Sequence, residues 1–124
     1  DFEGNSAPNG EGGALMLQSS PTVTITGSTF TGNSAKTNGG VIKNNSSTTG
    51  LKIENSEFTN NTAGDAGGVL YQQDSNPANL NNCTFTGNTA TNGNAVHSVG
   101  GTVSLTGGNI QEADCSGKFE IVKG

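Results

Sequence analysis

The feature that most constrains this chain is a tetrapeptide that returns at a fixed long interval. Phe2-Glu-Gly-Asn5, Phe30-Thr-Gly-Asn33, Phe58-Thr-Asn-Asn61 and Phe85-Thr-Gly-Asn88 are four copies of F-x-x-N, and Ile110 stands where a fifth aromatic would fall. The intervals are 28, 28, 27 and 25 residues, and each Asn is followed two residues later by Ala7, Ala35, Ala63 or Ala90. Identical residue types at one long interval mark a repeat architecture, in which residue i lies over residue i+28 and each column is chemically uniform.

Two further sets share the interval. The first is Gly12-Gly-Ala-Leu15, Gly39-Gly-Val-Ile42, Gly67-Gly-Val-Leu70 and Gly93-Asn-Ala-Val96. The second is Val23 and Ile25, Leu51 and Ile53, Ala78 and Leu80, and Val103 and Leu105, each seven and five residues before the next ring position. Three strand-like runs per repeat are thus separated by Gly, Asn, Ser and Thr turns. Helical repeats are excluded, because the glycine and β-branched content opposes helix and no run has a 3.6-residue apolar period. A β-sandwich would need apolar and polar residues alternating in hairpins with tight two-residue turns every 8 to 12 residues, whereas here identical residue types recur once per repeat of 25 to 28. The expected fold is all-β, a parallel coil of about four turns of 25–28 residues over 1–124 as one domain. Coils start near Phe2, Phe30, Phe58 and Phe85, and 110–124 supplies a partial coil or terminal strand. The Phe, Ala and Leu15/Ile42/Leu70/Val96 ladders face inward, and the Asn column falls at a turn where left-handed backbone and amide stacking suit it.

Composition needs this periodicity to make sense. Twenty glycines and 29% hydrophobic residues would ordinarily suggest disorder, but regular spacing at a net charge of only −5 overrides that inference. An acidic chain with five Lys and no Arg has no basic stripe to neutralise phosphates, so nucleic acid is not an expected partner. The longest apolar run, Ala14 to Leu17, is too short to enter a membrane, and no signal peptide is recognisable, as expected of a mature form or an excised segment. Sequons at Asn44, Asn45, Asn60 and Asn82 are candidate glycosylation sites and point to an extracellular or cell-surface location. Cys83 falls in the column Ser28, Ser56, Cys83, Gly108, and Cys115 is five after Ile110, in the Ala column. Both read as core fillers or as a disulfide pair.

With F-x-x-N and G-G-[AV]-[ILV] alternating in fixed order, residues 2 to about 110 resemble the passenger repeats of polymorphic membrane proteins, the autotransporter-like surface proteins of chlamydiae. More broadly the chain is similar to the right-handed parallel β-helix class that includes pectate-lyase-like and adhesin domains. The resemblance implies that fold and, in the named family, adhesion. The fourth repeat departs with Gly93-Asn94, the fifth keeps neither motif, and no membrane-barrel segment follows.

Polysaccharide-cleaving enzymes of that class need clustered carboxylates, whereas the ten here occupy mostly unrelated columns, and Glu54 and Glu57 lack partners one coil away. No enzyme activity, cofactor or metal is expected. His97 is the only histidine, in the outward column Met16, Lys43, Tyr71, His97, and Gly64-Asp65-Ala66-Gly67 is a single turn rather than a calcium repeat. Thr29 and Thr31, Glu57 and Thr59, and Thr84 and Thr86 flank the Phe ladder as an outward array, which makes ice or polysaccharide binding a minor alternative. The irregular segments Gln18 to Pro21, Asn44 to Gly50 and Gln72 to Pro77 all fall at one corner, the expected place for a surface glycan or host protein ligand.

The ends carry the main functional expectation. Ile121-Val122-Lys123 is eleven residues after Ile110, as Val41-Ile42-Lys43 is after Phe30. Alternatively Phe119-Glu-Ile121, continued by Asp1-Phe2 of another copy, matches Leu51-Lys-Ile53 running on to Phe58. Either alignment makes Asp1, Phe2, Phe119, Ile121, Val122 and Gly124 a candidate junction. The expected protein is a non-enzymatic subunit of an extracellular fibre, a head-to-tail homopolymer. An excised piece of a surface adhesin is the alternative.

Overall fold

A computed structural model of the chain describes residues 1–18, 22–45 and 50–122. The first coil carries β1 (Phe2–Glu3), β2 (Ser6–Ala7), β3 (Leu15–Leu17) and β4 (Val23–Thr26). The second carries β5 (Thr29–Thr31), β6 (Ser34–Ala35), β7 (Ile42–Asn44) and β8 (Leu51–Glu54), and the third β9 (Glu57–Thr59), β10 (Thr62–Ala63), β11 (Leu70–Gln72) and β12 (Ala78–Asn81). The fourth carries β13 (Thr84–Thr86) and the long β14 (Val96–Thr106). A 3-10 turn over Glu112–Asp114 then leads into β15 (Cys115–Val122).

Every pairing among these strands is parallel and joins neighbouring coils, one repeat apart except between β14 and β15, where the interval shortens to 19 residues at Val96–Cys115 and 16 at Val103–Phe119. Phe2 faces Phe30, Phe30 faces Phe58 and Phe58 faces Phe85. The four rings stack at centroid distances of 4.6, 4.9 and 5.2 Å, the strand spacing of a sheet. The alternation that makes a strand also sorts its faces: Leu51 and Ile53 are buried while Lys52 between them is exposed. One core results, with Phe30, Phe58, Ile42, Leu51, Ile53, Leu70, Leu80 and Leu105 fully buried.

The coil has one more strand row than the sequence suggests. The Ala column pairs as a short sheet, β2-β6-β10. The last two rows merge because β14 runs unbroken along both of them, pairing β11 and then β12. In place of the corner loop of earlier coils, β14 has only an irregularity between Ser98 and Val103. Here Gly100 and Gly101 lie under the carbonyls of Asp74 and Asn76, where a Cβ would come within 2.2 and 2.3 Å.

The corners explain the Asn and Gly columns. Asn33 donates from Nδ2 to Asn61 Oδ1 at 3.0 Å, Asn61 does the same to Asn88 at 3.0 Å, and the backbone N–H of each joins in at 2.9 Å. The left-handed residue at this corner is the one before the Asn, at Gly4, Gly32, Asn60 and Gly87, not the ladder Asn itself. The Asn contributes its side chain rather than its backbone tolerance.

The last coil selects between the two alignments of the tail. Phe119 registers on Val103 and Ile121 on Leu105, so the tail matches Leu51 and Ile53 and not Val41 to Lys43. Cys115 registers on Val96, which corrects its expected place in the Ala column. Ile110 is buried but lies in no strand. The Asn109 side chain accepts from Phe85 N at 2.8 Å and donates to Phe85 O at 3.1 Å, finishing the Phe sheet in place of a fifth strand.

Candidate functional site

The candidate junction residues fall on two faces at opposite ends of the stack. On the first face Asp1 is exposed, accepting from the Thr29 hydroxyl, and Phe2 is half-buried against Phe30. On the other face Phe119 and Ile121 are half-buried and Val122 is 38% exposed. Gly124 lies outside the described residues.

Register relates the two faces. Leu15, Ile42, Leu70, Val96 and Cys115 form one column. Val23, Leu51, Ala78, Val103 and Phe119 form a second, and Ile25, Ile53, Leu80, Leu105 and Ile121 a third. Each column therefore opens on one face with Leu15, Val23 or Ile25, all half-buried, and closes on the other with Cys115, Phe119 or Ile121. Among the described residues β3, β4 and β15 each pair on one side only.

The candidate glycosylation sites separate by burial. Asn44 is fully buried and its Nδ2, the atom a glycan would need, donates to Gln72 Oε1 at 2.9 Å, so the expectation fails there. Asn45 is half-buried, and the Ser46 and Ser47 that complete the first two sequons lie outside the described residues. Asn60 and Asn82 are exposed, and both hold left-handed backbone, φ 55° and 59°, in columns otherwise filled largely by Gly. The geometry of the corner accounts for Asn at those two places.

Cys83 and Cys115 are buried free thiols, which corrects the disulfide alternative. They belong to different columns, Cys83 beside Ser56 and Gly108 and Cys115 beyond Val96. Burial raises both thiols, with Cys115 pushed up to about 12, Asp114 and Glu112 adding to the effect.

One cluster escaped the sequence reading. Lys43 sits in the outward column yet is buried, with Nζ donating to Glu11 Oε2 at 2.5 Å, and Asn38 Nδ2 donates to Glu11 Oε1 at 2.7 Å. Burial raises the Glu11 carboxyl, but the bonds from Lys43 and Asn38 together with the Lys43 charge outweigh this, leaving it below its ordinary value. Tyr71 lies over Lys43, His97 stacks on Tyr71 with centroids 5.5 Å apart, and His97 Nδ1 bonds the Ser116 hydroxyl. Desolvation lowers His97, partly opposed by Asp65. The signal in the sequence was the column Met16, Lys43, Tyr71, His97. What hid the cluster was that Glu11 belongs to a neighbouring column.

Among the described residues no three of His, Cys, Asp and Glu come together as metal ligands, and no helix is long and apolar enough to cross a membrane. The outward array is in register, Thr29 on Glu57 on Thr84 and Thr31 on Thr59 on Thr86, and Glu3 precedes Thr31.

A family model described as a right-handed beta helix region matches residues 1–111. The chain belongs to the right-handed β-helix family. No curated protein and no solved structure matches it. In this β-helix the matched span takes in the F-x-x-N copies and the four full coils, and the shortened final coil lies largely beyond it.

Proposed function

We propose that this β-helix is a non-enzymatic structural subunit, extracellular or on the cell surface, whose stack is continued head to tail by further copies. The observation that carries the reading is the shared register of the two faces: Cys115, Phe119 and Ile121 close the columns that Leu15, Val23 and Ile25 open. Placing one face on the other continues the columns in parallel register and covers half-buried apolar side chains on both. Such a contact uses different surfaces on the two copies and need not close, so it builds a filament.

Variants blocked at opposite faces test this. Ile25→Glu places a carboxylate on the first face and Ile121→Glu on the last, and circular dichroism checks that each folds. The expected result in sedimentation is that the parent grows with concentration, each variant alone stays monomeric, and an equimolar mixture stops at dimers. A parent that stays monomeric at every concentration, or single variants that still grow, would overturn the proposal.

The alternation of F-x-x-N with the double-Gly motif, similar to chlamydial passenger repeats, favours a second reading as a segment of a surface adhesin. There, further coils of one chain cover the two faces and the corner loops meet a glycan or host protein. A monomeric parent that binds host-cell surfaces is the outcome that favours it.

A further inference from the structure

Lys43 is 4% exposed, although lysine is among the residues least often buried and then only with a partner. The Glu11 carboxylate lies on one side of its ammonium at 2.5 Å, and the Tyr71 ring on another, with its centroid 4.9 Å away. The same carboxylate takes a hydrogen bond from Asn38 Nδ2 at 2.7 Å, so one acidic group holds an amine and a carboxamide side by side. Asn38 Oδ1 is buried with no hydrogen-bond partner among the described residues, leaving that carbonyl unengaged. Gly12, beside Lys43, holds left-handed backbone at φ +67°, and a Cβ there would stand 2.4 Å from Leu15 O. No other coil repeats the set: the third offers Ala66 and Tyr71 at these columns, and the fourth Asn92 and His97.

We propose that Lys43 and Asn38 become joined by an intramolecular isopeptide bond, with Glu11 carrying the protons. Lys43 passes a proton to Glu11 Oε2, and the neutral Nζ attacks Asn38 Cγ. The Nζ–Cγ bond forms and the Cγ–Nδ2 bond breaks. Of the three protons on Nζ, one stays on the new amide and two pass through Glu11 to Nδ2, which departs as ammonium. Glu11 ends as the carboxylate it began as, charge is conserved, and no oxidant or co-reactant is needed. The buried Lys43 ammonium and the half-satisfied Asn38 amide become one neutral amide, while the Glu11 carboxylate, its side chain 29% exposed, keeps its charge where water reaches it.

Asn38-Gly39 is also a sequence prone to cyclise through the Gly39 nitrogen, which would expel the same ammonia. That nitrogen donates to Ala66 O at 2.9 Å and is held in the ladder, turned to its neighbouring coil. The experiment must still separate the two products.

The test is the intact mass of the folded chain, followed by tryptic mapping after unfolding. The expected mass is one ammonia below that of the sequence, with the peptide from Thr37 to Lys52 uncut after Lys43 and carrying the whole deficit. Lys43→Arg, which keeps a cation for Glu11, and Glu11→Gln, which keeps the volume, are each expected to restore the full mass. A parent chain at full mass, showing only an ion pair, would overturn the proposal. So would a deficit that persists in Lys43→Arg or a peptide cut after Lys43, both of which indicate cyclisation at Gly39.

Discussion

Asn61 shows how much one side chain holds at a corner. It accepts from Asn33 N and Nδ2, and donates to Asn88 Oδ1 and to Phe30 O. Asn61→Ala leaves several buried partners unpaired at once, and the expected cost is about 3 kcal/mol in urea unfolding. Titration acts at the same scale. His97 has a folded value below its ordinary 6.5 and Glu11 one below 4.5. Each stability contribution is therefore complete above the unfolded value. That of His97 is lost as pH falls below about 6.5 and that of Glu11, in chains whose Lys43 is still a free ammonium, below about 4.5. Thermal melts are expected to fall in those two windows, and His97→Gln to remove the first. The Asn ladder was legible because each member recurs at one interval. The Lys43 cluster was not, because its partners lie 5 and 32 residues away in neighbouring columns, and periodicity says nothing about reach between columns.

The strand rows were legible wherever the coil keeps its length. Phe, Leu/Ile and Val/Ile positions recur at the pairing register, so counting residues placed them correctly. Counting failed in the last coil, where the Ala strand is absent. The 3-10 turn over Glu112–Asp114 leads straight to Cys115, so an offset of five from Ile110 lands in a different column. The Ala row was missed as a strand because two residues cannot show alternation. Glycine carries information of a different kind at this scale. A Cβ on Gly40 would stand 2.1 Å from Gly68 O and 2.6 Å from Thr62 O, both fixed backbone of the next coil. Gly40→Ala is expected to force neighbouring coils apart at a cost of about 3 kcal/mol, read as a lowered denaturation midpoint. Gly32→Ala, at φ +65° with open space around it, carries only the left-handed penalty and is expected to cost about 1 kcal/mol.

For the whole molecule, three columns run from Leu15, Val23 and Ile25 on one face to Cys115, Phe119 and Ile121 on the other, while the Phe and Ala rows stop before the last coil, and head-to-tail continuation through those three columns is the proposal drawn from them. In the proposed filament, the five column levels from Leu15 to Cys115 would set the rise that each copy adds. At a strand spacing of about 4.8 Å this comes to about 24 Å per subunit. The most direct measurement is electron microscopy of the purified chain in negative stain, with diffraction from aligned material if fibres form. Unbranched fibres with an axial repeat of about 24 Å are the predicted result. Uniform monomers at high concentration, or fibres lacking that repeat, would contradict the account.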